Sequence, residues 1–187
     1  FVISKLKKNL KDDDIVVVKT DKRRATTYSI NSINENTLKL EDTSIYLFVG
    51  PKVPLLPMIG SIKLFDLKAA GQDKLAQIIM VSAVSDSYTH VSVRATGPKV
   101  HSGMICHELQ DSLRNRYAES KQVISGGGHP VAAECTVKTD KVTFLNVLTR
   151  VTEVLTEMDK LDKIASSGSL SDEQKKRAKE LGLDYIK

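Results

Sequence analysis

The chain has 187 residues, 41% of them hydrophobic and 27% charged, with a formal net charge of +5. This is an ordinary composition for a soluble globular protein and enough chain for one good core, or for a domain with a small appendage. No apolar run approaches the ~20 residues a membrane helix needs and the N-terminus does not read as a signal peptide, so a membrane-embedded role is not expected.

The first residue is Phe1 rather than Met, from which we expect a piece of a longer protein. The positive balance is compatible with a polyanionic partner without demanding one, because the basic residues are scattered rather than clustered. Cys106 and Cys135 have neither metal-ligand nor disulfide spacing and sit in apolar segments. We read them as buried thiols of a reducing, cytoplasmic compartment.

Residues 1–14 carry lysines followed by Asp12, Asp13 and Asp14, whose adjacent side chains diverge and read as a solvated turn rather than a calcium loop. Four short strands follow, at 15–18, 25–30, 37–40 and 44–49, separated by polar turns. They predict a small β-rich unit with few aromatics for stacking nucleic-acid bases. Pro51, Pro54 and Pro57 mark an extended connector, so residues 1–57 are read as a β-rich subdomain with its connector.

A short helix is expected over 61–74, broken near Gly71, and then two strands, 76–84 and 90–96, across a turn at 85–87. In the second strand Val91 and Val93 share one face, leaving Ser92 and Arg94 on the other. A guanidinium there can grip two phosphate oxygens, though an arginine on an exposed strand has the same pattern.

Ile105, Leu109, Leu113 and Tyr117 predict a helix over 103–117. His101, His107 and Cys106 do not complete a zinc set.

Then comes Ser125-Gly126-Gly127-Gly128-His129-Pro130-Val131-Ala132-Ala133. Consecutive glycines let a backbone come very close to a ligand, and proline suits the first position of a helix. We therefore expect a glycine loop running into a short helix, whose free amides and dipole attract phosphate, with His129 at its mouth. On spacing alone the run is equally a flexible turn with a surface histidine, since it has no Walker lysine and no G-x-G-x-x-G.

Beyond it, residues 135–137 read as a strand, and Asp140 as the cap of a helix with Leu145, Leu148, Val151, Leu155 and Met158 along its apolar stripe. Ser171 and Gln174 form a capping-box pattern opening a last, mostly charged helix that stops near Gly182 and is read as a solvated tail. The pattern as a whole predicts an α/β protein, a mixed β-sheet with packed helices over residues 58–160, preceded by the β-rich subdomain and followed by a helical tail at 161–187.

The stretch from Gly126 to Ala133 resembles the Gly-Gly-Gly-His-x-x-Ala-Ala-Gly signature of the DHHA1 domain, the C-terminal half of DHH-family phosphoesterases. Ser92-Val93-Arg94 resembles that family's Ser-x-Arg. The likeness runs over about residues 70 to 158, and Glu134 departs from it, standing where the family usually has its final glycine. The resemblance implies that Ser92, Arg94, Gly126, Gly127, Gly128 and His129 hold a phosphate of single-stranded nucleic acid or a nucleotide.

It also implies that the metals, usually manganese, and the hydrolytic water belong to a DHH domain whose Asp-His-His motif is not in this sequence. No catalytic residue, metal ligand or cofactor is therefore expected here. The chain would be the substrate-binding part of a RecJ-like exonuclease, partnered by a DHH domain of the same protein. The alternatives are a non-catalytic DHHA1-like interaction module in a replication or tRNA-synthetase assembly, and a small-nucleotide phosphatase.

Overall fold

The computed structural model describes residues 37–41, 43–51, 56–69, 71, 75–117 and 123–187. The expected strands at 15–18 and 25–30 and the acidic turn before them lie outside these residues, as does most of the connector.

In chain order the elements are β1 (Thr37–Leu40), β2 (Thr43–Pro51), α1 (Leu56–Ala69), β3 (Leu75–Ser85), β4 (Tyr88–Ala95), α2 (Ser102–Arg116), β5 (Ile124–His129), β6 (Ala132–Lys138), α3 (Phe144–Ser167) and α4 (Asp172–Glu180). The six strands make one sheet in the order β1-β2-β3-β4-β6-β5. Only β2 and β3 run parallel, joined by α1 as a crossover, and every other neighbouring pair is antiparallel. The fold is thus the mixed α/β sheet with packed helices that the sequence predicts. Strands β1 and β2, read as part of an N-terminal β-rich unit, are continuous with that sheet through the β2–β3 register.

Strand β3 is a nearly unbroken apolar run because both its faces are covered. Ile79 and Val81 join a main core with Val91, Val93, Leu109 and Val151, while Ile78 and Met80 meet Leu64 and Leu67 of α1 in a smaller one. Helix α1 begins earlier than the spacing predicts, because Pro57 falls in the first turn, where a missing N–H costs nothing. Gly71, at φ 67°, closes it by donating its N–H to the Lys68 carbonyl at 3.1 Å.

Two further expectations are corrected. Helix α3 is capped by Thr143, not Asp140: the hydroxyl of Thr143 accepts from Asn146 N–H, and the Asn146 amide oxygen accepts from Thr143 N–H at 2.9 Å. Its buried stripe accordingly runs through Val147, Leu148, Val151, Val154 and Met158, and Leu145 is exposed. The C-terminal helix α4, capped by Ser171 and Gln174 as expected, is not a solvated tail: Ala178, Leu181 and Leu183 are fully buried, and Leu183 bridges to Val100.

The helices are layered unevenly. Helices α2 and α3 cover the main-core face of the sheet, and α1 covers the other face over β3 and as far as β4. Among the described residues no helix packs on that second face of β6 and β5.

Candidate nucleic-acid interface

The glycine run is not a loop entering a helix. Gly126, Gly127, Gly128 and His129 belong to the edge strand β5, and Pro130 with Val131 forms the turn of a hairpin whose last pair is His129 with Ala132. Ala132 and Ala133 continue as β6 because pairing over the whole length of β5 outweighs the helix-start signal of the proline.

A helix N-terminus does lie beside the glycines, but it belongs to α2. Its first amides face chain carbonyls and a ring nitrogen: Ser102 N–H donates to Pro130 O at 2.9 Å, and Met104 N–H to Nδ1 of the capping His101 at 3.2 Å. Three of the first four amides at this end, those of His101, Ser102 and Met104, thus have acceptors within the fold.

The glycines differ in what they do. A side chain at Gly126 would overlap the Cys106 carbonyl, and one at Gly103 would overlap the Gly128 carbonyl, so both glycines let α2 lie directly against β5. The edge of β5 is then capped in steps. Arg114 Nε donates to Ile124 O at 2.8 Å and Gly126 N–H donates to Gln110 Oε1 at 2.9 Å. Four residues of helix rise about 6 Å and two of strand about 6.7 Å, so the two periods nearly match.

Gly127 points the other way. Its φ of 148° is a value that favours glycine, and among the described residues nothing lies within 4 Å of where a side chain would begin.

Strand alternation and register place four predicted residues on this second face, two of them on β4, which α1 reaches, and two on β5, which it does not. Arg94 pairs with Ala132, which pairs with His129, so a guanidinium and an imidazole flank a methyl group in one row about 10 Å across. In the next row Ser92, Glu134 and Gly127 stand side by side. His90, Thr136 and Ser125 form a third, and Tyr88 and Lys138 end the face, with Nζ 4.9 Å from the ring centroid. Gly126 and Gly128 have the opposite alternation and do not share this face.

The face therefore carries Arg94, His129, Ser92 and Gly127 of the predicted set, plus Tyr88, His90 and Lys138, which the sequence reading missed. Tyr88, His90 and Lys138 share the alternation of Ser92 and Arg94 or of Glu134. Continuing that alternation two steps, from Ser92 through His90 to Tyr88 and from Glu134 through Thr136 to Lys138, was the signal that would have found them.

Arg94 is not bare. Its Nη1 donates to Val93 O at 2.8 Å and Ala133 O at 3.1 Å, and its Nη2 to Glu134 Oε1 at 2.9 Å. The other Glu134 oxygen meets His90 Nε2 at 3.3 Å. Burial pushes the Glu134 carboxyl up, but hydrogen bonds from Arg94 and His90 outweigh it and hold the group below the usual carboxylate range.

Ser92, between His90 and Arg94 on β4, is 1% exposed, and its hydroxyl has no hydrogen-bond partner among the described residues. On the opposite, core-facing side, Cys106 and Cys135 are buried free thiols, and burial pushes both up, Cys135 to about 12, which disfavours the reactive thiolate.

Among the described residues no three His, Cys, Asp or Glu side chains gather as metal ligands would, and we derive no metal-dependent step for this chain. No described helix is long and apolar enough to cross a membrane. Clefts of about 500 and 480 Å³ lie away from the face, one between α3 and α4 and one beside Tyr185 and Asp162.

Comparison with family models gives no match, and comparison with curated proteins gives none. Among solved structures, the C-Ala domain of the Aquifex aeolicus alanyl-tRNA synthetase superposes with a TM-score of 0.42 at 15% identity, over 64% of this chain and 97% of that one.

Proposed function

We propose that this chain binds single-stranded nucleic acid on the second face of β4, β6 and β5, as the substrate-holding DHHA1-type part of a RecJ-like phosphodiesterase whose metal centre belongs to a DHH domain outside it. The observation that carries this reading is that Arg94 shares one face with Gly127 and His129, distant from it in sequence, and that among the described residues nothing is packed above Gly127. From Arg94 to Tyr88 the face extends about 20 Å along β4, room for a few nucleotides. A shallow sheet suits a stretched strand better than an engulfed small nucleotide.

Arg94 and Lys138 supply charge for phosphates, and the Tyr88 ring supplies a surface for a base. Replacing Arg94 by Ala is expected to weaken binding of a short single-stranded oligonucleotide about tenfold and to lower the salt slope by about one. Fluorescence anisotropy over a salt series reads both. Unchanged affinity and slope would end the reading.

A second reading, a non-catalytic interaction module, is favoured by one observation: Glu134 already neutralises Arg94. The full-length gene separates the two, since a DHH domain upstream belongs to the first reading alone.

A further inference from the structure

We infer that the anion seat of this face lies between Arg94 and His90, over Ser92, and that Glu134 occupies it as an internal stand-in for phosphate which a bound strand must displace. The inference rests on the proposed nucleic-acid role and gives it a place and a gate.

Glu134 sits directly opposite Ser92 in the register of β4 and β6. Its two oxygens reach to either side, one to Arg94 Nη2 at 2.9 Å and the other to His90 Nε2 at 3.3 Å. A planar guanidinium grips carboxylate and phosphate with the same donors, so what holds this carboxylate also fits a phosphate. Beneath lies the hydroxyl of Ser92, a residue 1% exposed, a buried donor without a partner among the described residues.

Glu134, by contrast, is attached to an exposed strand face and its side chain is 48% exposed, so it can swing to solvent without opening the core. Three donors then converge on one group: a guanidinium that stays charged, an imidazole N–H and a hydroxyl. The glycine strand contributes clearance, since the open space over Gly127 adjoins Glu134 in the same row. His90 thereby becomes a binding residue, and Glu134 a specificity residue that raises the threshold for any isolated anion.

The test is oligonucleotide binding at fixed salt by the full chain and its variants, with thermal melting as the control for folding. Glu134→Ala is expected to bind a short single strand about tenfold more tightly than the unaltered chain, and adding His90→Ala is expected to remove most of that gain. If Glu134→Ala lowers the melting temperature too far, Glu134→Gln serves, with a several-fold gain expected.

A Glu134 variant that binds no more tightly, while Arg94→Ala still weakens binding, overturns the gate and leaves the nucleic-acid reading standing. A gain that survives His90→Ala overturns the seat, since removal of one negative charge would then explain it. Affinity unaltered by both Glu134→Ala and Arg94→Ala ends both proposals together.

Discussion

Glu108 shows how one residue joins three helices. It is a carboxylate of α2 with a side chain 13% exposed, and it accepts from Arg150 Nη2 of α3 and from Arg177 Nη1 and Nη2 of α4, the latter at 3.0 and 2.9 Å. Burial alone would raise its pKa; the hydrogen bonds from Arg177 and Arg150 prevail and hold it below the usual carboxylate range. A carboxylate depressed in the folded state stabilises the fold fully above its unfolded pKa of about 4.3, and that stabilisation is lost as pH falls through the folded value. Glu108→Gln is therefore expected to lower stability at pH 7 by about 2 kcal/mol and to flatten the loss between about pH 5 and pH 3. Urea unfolding at several pH values measures both, and a variant with the parent's acid profile would show that other carboxylates carry it.

At the scale of elements, the glycine strand separates what the sequence makes legible from what it does not. Strands β3 and β4 and helix α2 were readable because Ile79, Val81, Val91, Val93, Ile105 and Leu109 repeat at the periods of two and of three to four that burial on a strand or a helix imposes. The run at 126–129 was misread because glycine and proline are local turn and cap signals, whereas β5 is a strand through its partners: β6 on one side, Gln110 and Arg114 of α2 on the other. Likewise Arg94 could be assigned a face from β4 alone, but its common row with His129 requires β6 to lie between their strands, a matter of sheet order that no single segment encodes. Neighbouring glycines should accordingly fail for different reasons. Gly126→Ala drives a methyl into the backbone of α2 and is expected to cost about 2 kcal/mol while loosening the α2–β5 contact. Gly127→Ala meets only open space but carries a φ of 148°, with a backbone cost of about 1–3 kcal/mol and α2 undisturbed. Hydrogen exchange at the amides of α2 distinguishes them: faster exchange well below the melting transition in the first variant alone is expected, and equal protection in both would refute the packing role of Gly126.

For the molecule as a whole, the fold behind the proposed binding face is braced by residues at the far end of the chain. Strand β5 keeps its place because α2 lies along its edge, and the start of α2 is held in turn by the C-terminal segment. His101, the cap of α2, donates its N–H to Gly182 O at 2.8 Å, Leu183 pairs with Val100, and Leu181 and Leu183 are fully buried in the main core. Gly182, at φ 79°, allows the chain to turn there, because a side chain would press on His101. The segment read from its charges as a solvated tail is thus a brace between α4 and the cap of α2, and the few apolar residues among those charges do the anchoring. Leu183→Ala removes a fully buried side chain at this junction and is expected to cost about 2–4 kcal/mol, lowering the melting temperature by roughly 5–15 °C for a chain of this length. Below that transition the variant keeps Arg94, Glu134 and His90 in place, so its oligonucleotide affinity should match the parent's, in contrast to Arg94→Ala, which should melt near the parent and bind poorly. A Leu183→Ala chain with an unchanged transition would show that the segment merely rests on the surface.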